Sequence, residues 1–342
     1  MADTATTFNQ AAQRQDPAVF DYAREVAQVW RDFPTTKKVH FLDICKRKLV
    51  YPEESAERET MLQLLNNKKN LLSDADQMDL VEKSSCYSPY HGAMLLYTQQ
   101  HKHSFLDQKA SQAMETMFVF DHEMGHAVIP NAHYGEGRNK AECIADAYAV
   151  IRHLQRYGAD SAAIDALVQQ RALQFIFRKD RASHLTSPVT EQILARRHEI
   201  AWDNLTPAET TKLAWRFAME YAVHPVLLDV IDKDFKKFQG KMEDIEKGVV
   251  SPLQELAEKV LTTDASAVFK YGAAALKLCL DGQKANIILQ GEYWDSVRQQ
   301  LAERQKIFAA QDKLLFGLGA EDRPLQVFKN NVLKFASPGK RQ

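Results

Sequence analysis

Residues 118–126 read Phe118-Val-Phe-Asp-His-Glu-Met-Gly-His126, and the pattern HExxH formed by His122, Glu123 and His126 organises everything around it. Residues four apart on an α-helix lie one above the other, so both imidazoles point the same way and can share one metal ion. Glu123 follows the first His, where a carboxylate reaches a water held by that metal and takes its proton. Phe118, Val119, Phe120, Ala127, Val128 and Ile129 make the flanks apolar, which predicts a buried helix. Two unpaired imidazoles would be costly there. Gly125 lowers helix propensity by ~1 kcal/mol relative to Ala, so its presence calls for a close approach by another element or by a ligand.

Working outward, an apolar periodicity runs from Phe105 to Val128 with no Pro until Pro130, and predicts one long helix. Residues 129–139 (IPNAHYGEGRN) read as a loop. Lys140 to Tyr157 reads as a second helix, stopped by Gly158. A zinc site needs at least three protein ligands, with a position left open when it is catalytic. The second helix offers Ala141-Glu142-Cys143-Ile144-Ala145-Asp146, whose two acids share a helix face. Glu142, Asp146, His133 and Glu136 all compete for the third position. His133 lies seven residues after His126 and a Gly is missing at Ile129, so the spacing misses the HExxHxxGxxH pattern twice.

HExxH followed on a second helix by ExxxD resembles the gluzincin (thermolysin-like) zincin metallopeptidases over about Ala110 to Tyr157. The resemblance implies a zinc ion held by His122, His126 and Glu142, with Asp146 orienting His122 as a hydrogen-bond acceptor. It implies Glu123 as general base. It also implies a Tyr and a later His that stabilise the oxyanion, slots that Tyr134 and His184 fit. Arg138 is a weaker candidate for that task. By the same analogy an edge strand beside the active helix would pair with extended substrate. The short apolar run His91 to Thr98 reads as a strand, and in that role Gly92 and Met94 to Tyr97 would line the cleft.

The rest of the chain supplies the frame. Residues 1–16 are polar and read as a mobile tail; Ala18 to Phe33 reads as an amphipathic helix, and Val39 to Val50 as strand or helix. Glu54 to Leu72 reads as a helix and Ser84 to Tyr90 as a loop. Beyond Gly158 helices are predicted at Ser161–Phe177, Pro188–Trp202, from Thr206 to about Val223, from Ser251, and at Ala265–Leu280 and Tyr293–Ala310. Thr206-Pro207-Ala208-Glu209 is a capping box, and Ser251-Pro252-Leu253-Gln254 repeats its grammar. Lys233 to Lys247 reads as a solvated charged face, and Lys334 to Gln342 as a frayed basic end. His153 reads as a surface or cap residue; His40, His91, His101, His103, His198 and His224 have no companion spacing. The expected fold is α+β and predominantly helical. The expected divisions are a tail (1–16), an N-terminal lobe with a small sheet ending in the active helix (17–129), and a helical C-terminal lobe carrying the third ligand (130–342). The resemblance makes the core zincin-like.

Composition narrows the function classes. In 342 residues Lys plus Arg is 44 and Asp plus Glu is 45, a balance that argues against a nucleic-acid partner and against a polybasic membrane anchor. No apolar stretch approaches the ~20 residues of a membrane-spanning helix, and the N-terminus shows no secretory h-region. Cys45, Cys86, Cys143 and Cys279 have no metal-ribbon spacing and read as free thiols. The expectation is a zinc metallopeptidase, an endopeptidase rather than an exopeptidase, narrow in its peptide or protein substrates. It would act in the cytoplasm or after export by a signal-independent route. The competing readings are a non-catalytic binding protein on the same fold and a protease delivered into another cell.

Overall fold

The computed structural model describes residues 20–34, 40–43, 48–49, 86–88, 93–96, 110–129, 137–177, 181–235, 244–245, 247–281 and 289–316. The predicted tail at 1–16, the predicted helix at Glu54–Leu72, the predicted basic end, Gly92, Tyr97, His133, Tyr134 and Glu136 lie outside them.

Local chemistry sets the element ends. Helix α1 (Tyr22–Asp32) starts at Asp21, whose Oδ1 accepts the Arg24 N–H at 3.1 Å. The HExxH helix, α2 (Gln112–Val128), starts where Ser111 Oγ accepts the Met114 N–H at 3.3 Å. Helix α3 (Arg138–Tyr157) is bracketed by Gly137 at φ 102° and Gly158 at φ 84°, backbone conformations that residues with a Cβ rarely adopt. Helix α4 is Ala162–Phe177, followed by a 3₁₀ turn at Arg181–His184. Helix α5 (Ser187–Ala195) is shorter than the sequence predicts. Arg196, held among buried residues, folds back to donate to Gln192 O and Oε1, and the chain continues in turns to a 3₁₀ segment at Trp202–Asn204. Helix α6 (Pro207–Tyr221) carries the complete capping box, with Thr206 Oγ1 accepting from Glu209 N and Glu209 Oε2 accepting from Thr206 N. Helices α7 (Pro225–Phe235), α8 (Ser251–Thr262), α9 (Ser266–Asp281) and α10 (Glu292–Phe316) follow, and the described residues are predominantly helical. The second capping grammar fails, because Val250 takes the cap position of α8 with no side-chain bond, and Ser251 is already helical.

Strands β1 (His40–Asp43), β2 (Lys48–Leu49), β3 (Cys86–Ser88) and β4 (Ala93–Leu96) form a sheet in the order β2-β1-β4-β3. Strand β4 runs parallel to β1, with Met94 opposite Phe41, and antiparallel to β3, with Met94 opposite Tyr87. Two expectations need correction. The run at His91–Thr98 supplies an interior strand and not the edge, and Met94 and Leu96 are buried. The segment read as a loop at Ser84–Tyr90 contains the edge strand β3.

Tyr22, Phe41 and Phe120 stack edge-on and tilted against one another, joining α1, the sheet and α2. Helix α3 is buried on almost every side, as its apolar composition requires, and packs against α2, α5 and α6. Next to His122 on α2, Asp121 is clasped by both terminal nitrogens of Arg156 from α3, and Arg156 Nη2 also reaches Glu25 Oε2 of α1 at 3.5 Å. Breaking such a buried set by removing one partner costs about 3–5 kcal/mol, so it fixes α1, α2 and α3 to one another. Among the described residues no helix is long and apolar enough to cross a membrane.

Candidate metal centre

Close packing of α2 on α3 starts at Gly125. A Cβ built there would lie 2.7 Å from the Ala145 Cα and 3.2 Å from both the Ala145 carbonyl oxygen and the Tyr148 Cβ. The glycine therefore serves the approach of α3, the helix that carries both acids. Across that contact His122, His126 and Glu142 present one ligand atom each, all within 4.8 Å of one another. The His122 Nε2 to Glu142 Oε2 distance is 3.4 Å, and from His126 Nε2 it is 3.9 Å. Four ligands at zinc–nitrogen and zinc–oxygen bond lengths sit about 3.3 Å apart around a tetrahedral ion. The 3.4 Å separation is close to that spacing and the 3.9 Å one somewhat wider, so the donor set could hold a small divalent ion once the atoms draw together. The two imidazole planes are nearly perpendicular, 4.9 Å between centroids.

The orientation of His122 is fixed from behind. Its Nδ1 donates to Asp146 Oδ1 at 2.7 Å, which turns Nε2 to the cluster. Asp146 is fully buried, and its other oxygen accepts from Arg171 Nε at 2.9 Å and from the Thr186 hydroxyl. Arg171 Nη2 lies 3.8 Å from Glu142 Oε2, so one guanidinium faces both the candidate ligand and the orienting acid. Asp146 as the direct third ligand is thereby disfavoured, since both its oxygens are already engaged.

Burial opposes charge throughout the site; charged partners overcome it at Glu142, Asp146 and His122, and burial prevails at His126 and Glu123. For Glu142, burial alone would push the carboxyl up, but the hydrogen bond and charge of His122, with His126 and His184 beyond it, hold it well below the usual carboxylate range. Asp146 is likewise held low, against its burial, by Arg171 and His122. Burial lowers His122, yet Asp146 and Glu142 carry it up to about 9. His126 is lowered to about 4 by burial and by the neighbouring His122, against the pull of Glu142 and Asp146. Glu123 is pushed up to about 7, chiefly by burial, and its Oε2 accepts the backbone N–H of Tyr87 at 2.7 Å.

His184 enters the site from the 3₁₀ turn after α4. Its Nε2 is 3.8 Å from Glu142 Oε2, and its Nδ1 is 2.9 Å from the Ser183 hydroxyl. Asn139, in the first turn of α3, pins that turn by donating to Ala182 O, Ser183 O and Leu185 O at 2.8–3.3 Å. The structure thus brings His122, Glu123, His126, Glu142, Asp146 and His184 together. Arg138 lies at the exposed start of α3. His153, expected at the surface, is buried on α3 with Nε2 2.8 Å from the Ser161 hydroxyl, and burial lowers it to about 3. Sequence reading missed Arg171, Thr186 and Asn139. Arg171 has one available signal, a guanidinium in a helical run whose other residues are apolar or glutamine (Leu167 to Ile176). The other two carry none. Cys143 and Cys279 are buried free thiols, as expected.

Comparison with protein-family models, with curated proteins and with solved structures gives no match to this chain.

Proposed function

We propose that the chain is a zinc-dependent metallopeptidase of gluzincin type, hydrolysing peptide bonds within a restricted set of peptides or proteins. One observation carries the reading. The three donor atoms of His122, His126 and Glu142 converge within 4.8 Å of one another while Glu123, the acid beside the first His, lies near enough to feel the charges of His122 and Glu142. The helix pair α2–α3 packed beside a small sheet supports a zincin-like core.

In this reading His122, His126 and Glu142 hold the metal and Asp146 keeps His122 in its binding tautomer. When bound, zinc polarises the scissile carbonyl and lowers the pKa of a water towards 7. Glu123 takes the proton of the attacking water and returns it to the leaving amine. A carboxyl brought near 7 by burial suits both halves of that exchange. His184 donates to the oxyanion from the Glu142 side of the cluster. Tyr134 fills the matching role by resemblance alone.

The test is metal analysis of the dialysed protein together with cleavage of a proteome-derived peptide library. One zinc per chain and sequence-selective cuts are expected, and Glu123→Gln is expected to keep the metal and lose turnover by about 10²–10⁴-fold. A protein that binds zinc yet cuts nothing would be a binding module on this scaffold. Full turnover by Glu123→Gln would remove the general base from the mechanism.

A further inference from the structure

The Tyr87 amide links the sheet to the HExxH helix. It donates to Glu123 Oε2 at 2.7 Å, across 36 positions of sequence. Among the described residues strand β3 is the outer strand of the sheet and pairs with β4 alone, with Tyr87 opposite Met94. An N–H given to Glu123 must point off the outer edge of β3 and not into the ladder. Unpaired edge groups are ordinarily left to solvent, blunted, or offered to another strand. Here the edge group ends on the one acid that stands between the paired imidazoles in sequence.

We propose that the Tyr87 backbone amide is a positioning group for Glu123: it holds one carboxylate oxygen so that the other is presented to the space between His122, His126 and Glu142. A free glutamate side chain turns about three bonds, and a group that exchanges protons with a reacting water must be held to within about 0.5 Å. A backbone N–H on a packed strand is a rigid tether for that purpose, and 2.7 Å is the short distance of a hydrogen bond to an ionised acceptor. The assignment has a consequence for substrate. The Tyr87 N–H is committed to Glu123, so an extended peptide lying along β3 has to pair with other edge groups.

The catalytic consequence rests on the metallopeptidase reading; the tether does not, and two measurements separate them. The first compares Tyr87→Pro, which deletes the N–H, with Tyr87→Ala, which keeps it and loses the same ring. Proline is tolerated on an edge strand where the N–H points outward. With the zinc-loaded enzyme and a peptide from the library, Tyr87→Ala is expected to keep kcat within about threefold. Tyr87→Pro is expected to lose on the order of 10–100-fold in kcat, the scale of a misplaced catalytic group, with KM and zinc content unchanged. Equal kcat in the two variants, whether high or low, overturns the proposal. The second measurement needs neither metal nor turnover. Amide hydrogen exchange at Tyr87 in the metal-free protein is expected to quicken at least about tenfold in Glu123→Ala while the β1 and β4 amides hold. Unchanged protection overturns the proposal, and this result decides it if Tyr87→Pro does not fold. If the wild-type zinc protein cleaves nothing, the hydrolase reading fails, while the exchange result still rules on the tether.

Discussion

Replacing Gly125 with Ala tests whether helix contact sets the metal geometry. The added Cβ would meet the Ala145 Cα at 2.7 Å, whereas carbon atoms rest at about 3.5–4.0 Å. The obstructing atom is backbone in a buried helix, so relief requires α3 to withdraw by roughly 1 Å and not a side chain to swing aside. Overpacking of this kind costs about 1–3 kcal/mol. Alanine recovers ~1 kcal/mol of helix propensity. The net loss of fold stability is therefore small, about 0–2 kcal/mol. Ala145 lies between Glu142 and Asp146, however, and any withdrawal moves both acids. The 3.9 Å gap from His126 Nε2 to Glu142 Oε2 would open towards 5 Å, beyond the about 3.3 Å that tetrahedral ligands need. Zinc affinity should fall at least about tenfold, or 1.4 kcal/mol. A chromophoric chelator competition measures the affinity, and melting with and without chelator separates it from stability. Gly125→Ala that binds zinc as tightly as wild type would refute the argument that this glycine exists for the approach of α3.

Three further outcomes are expected. Asp146→Asn should weaken zinc binding by about 10–100-fold, since a neutral amide holds His122 less firmly; equal affinity in the same competition would remove Asp146 from the site. Thr206→Ala should cost about 1 kcal/mol by deleting the capping box of α6, and urea unfolding that shows no change would mean the cap is dispensable. His153 is held near 3 in the folded chain against about 6.5 unfolded. Below pH 6.5 the unfolded chain takes up a proton that the folded chain refuses, so its contribution is intact above pH 6.5 and is lost as pH falls towards 3. The stability of wild type should therefore drop by about 1.5 kcal/mol more than that of His153→Gln between pH 6.5 and 5, and parallel curves would exclude the histidine as the cause.

What was legible in the sequence was whatever a single helix states about itself. His122 with His126 and Glu142 with Asp146 are four-residue spacings, and the structure joins the two pairs across one helix contact. Gly125 signalled the close approach without naming its partner. Strand order was not legible, because it depends on pairing between distant segments: the most apolar run became the interior strand β4, and the edge fell to Cys86–Ser88, three residues beside a proline. Helix α5 ended early because Arg196 turns back to its own helix, a choice that periodicity does not encode. Thr186 and Asn139 look like ordinary loop and helix-end residues until the fold sets one against Asp146 and the other against the turn bearing His184.

The charges of the buried site indicate what a bound ion would replace. Glu123, Glu142 and Asp146 lie together with Arg171 as their permanently charged cation. A structural patch reaches neutrality by pairing each acid, as Asp121 does with Arg156. Here Arg171 faces Asp146 at 2.9 Å and Glu142 at 3.8 Å, while His122 stands closest to Glu142 at 3.4 Å and His184 and His126 lie at 3.8 and 3.9 Å. Burial makes His126 resist protonation, whereas Asp146 and Glu142 raise His122 to about 9, so its imidazolium balances Glu142 when no ion is bound. A divalent cation bound there would take the place of the proton that His122 Nε2 shares with Glu142, 3.4 Å away. Asp146 needs no such help, since Arg171 and Thr186 already complete it. The division of labour between the two acids of α3, one left open and one closed, is what a metal ligand and its orienting partner require.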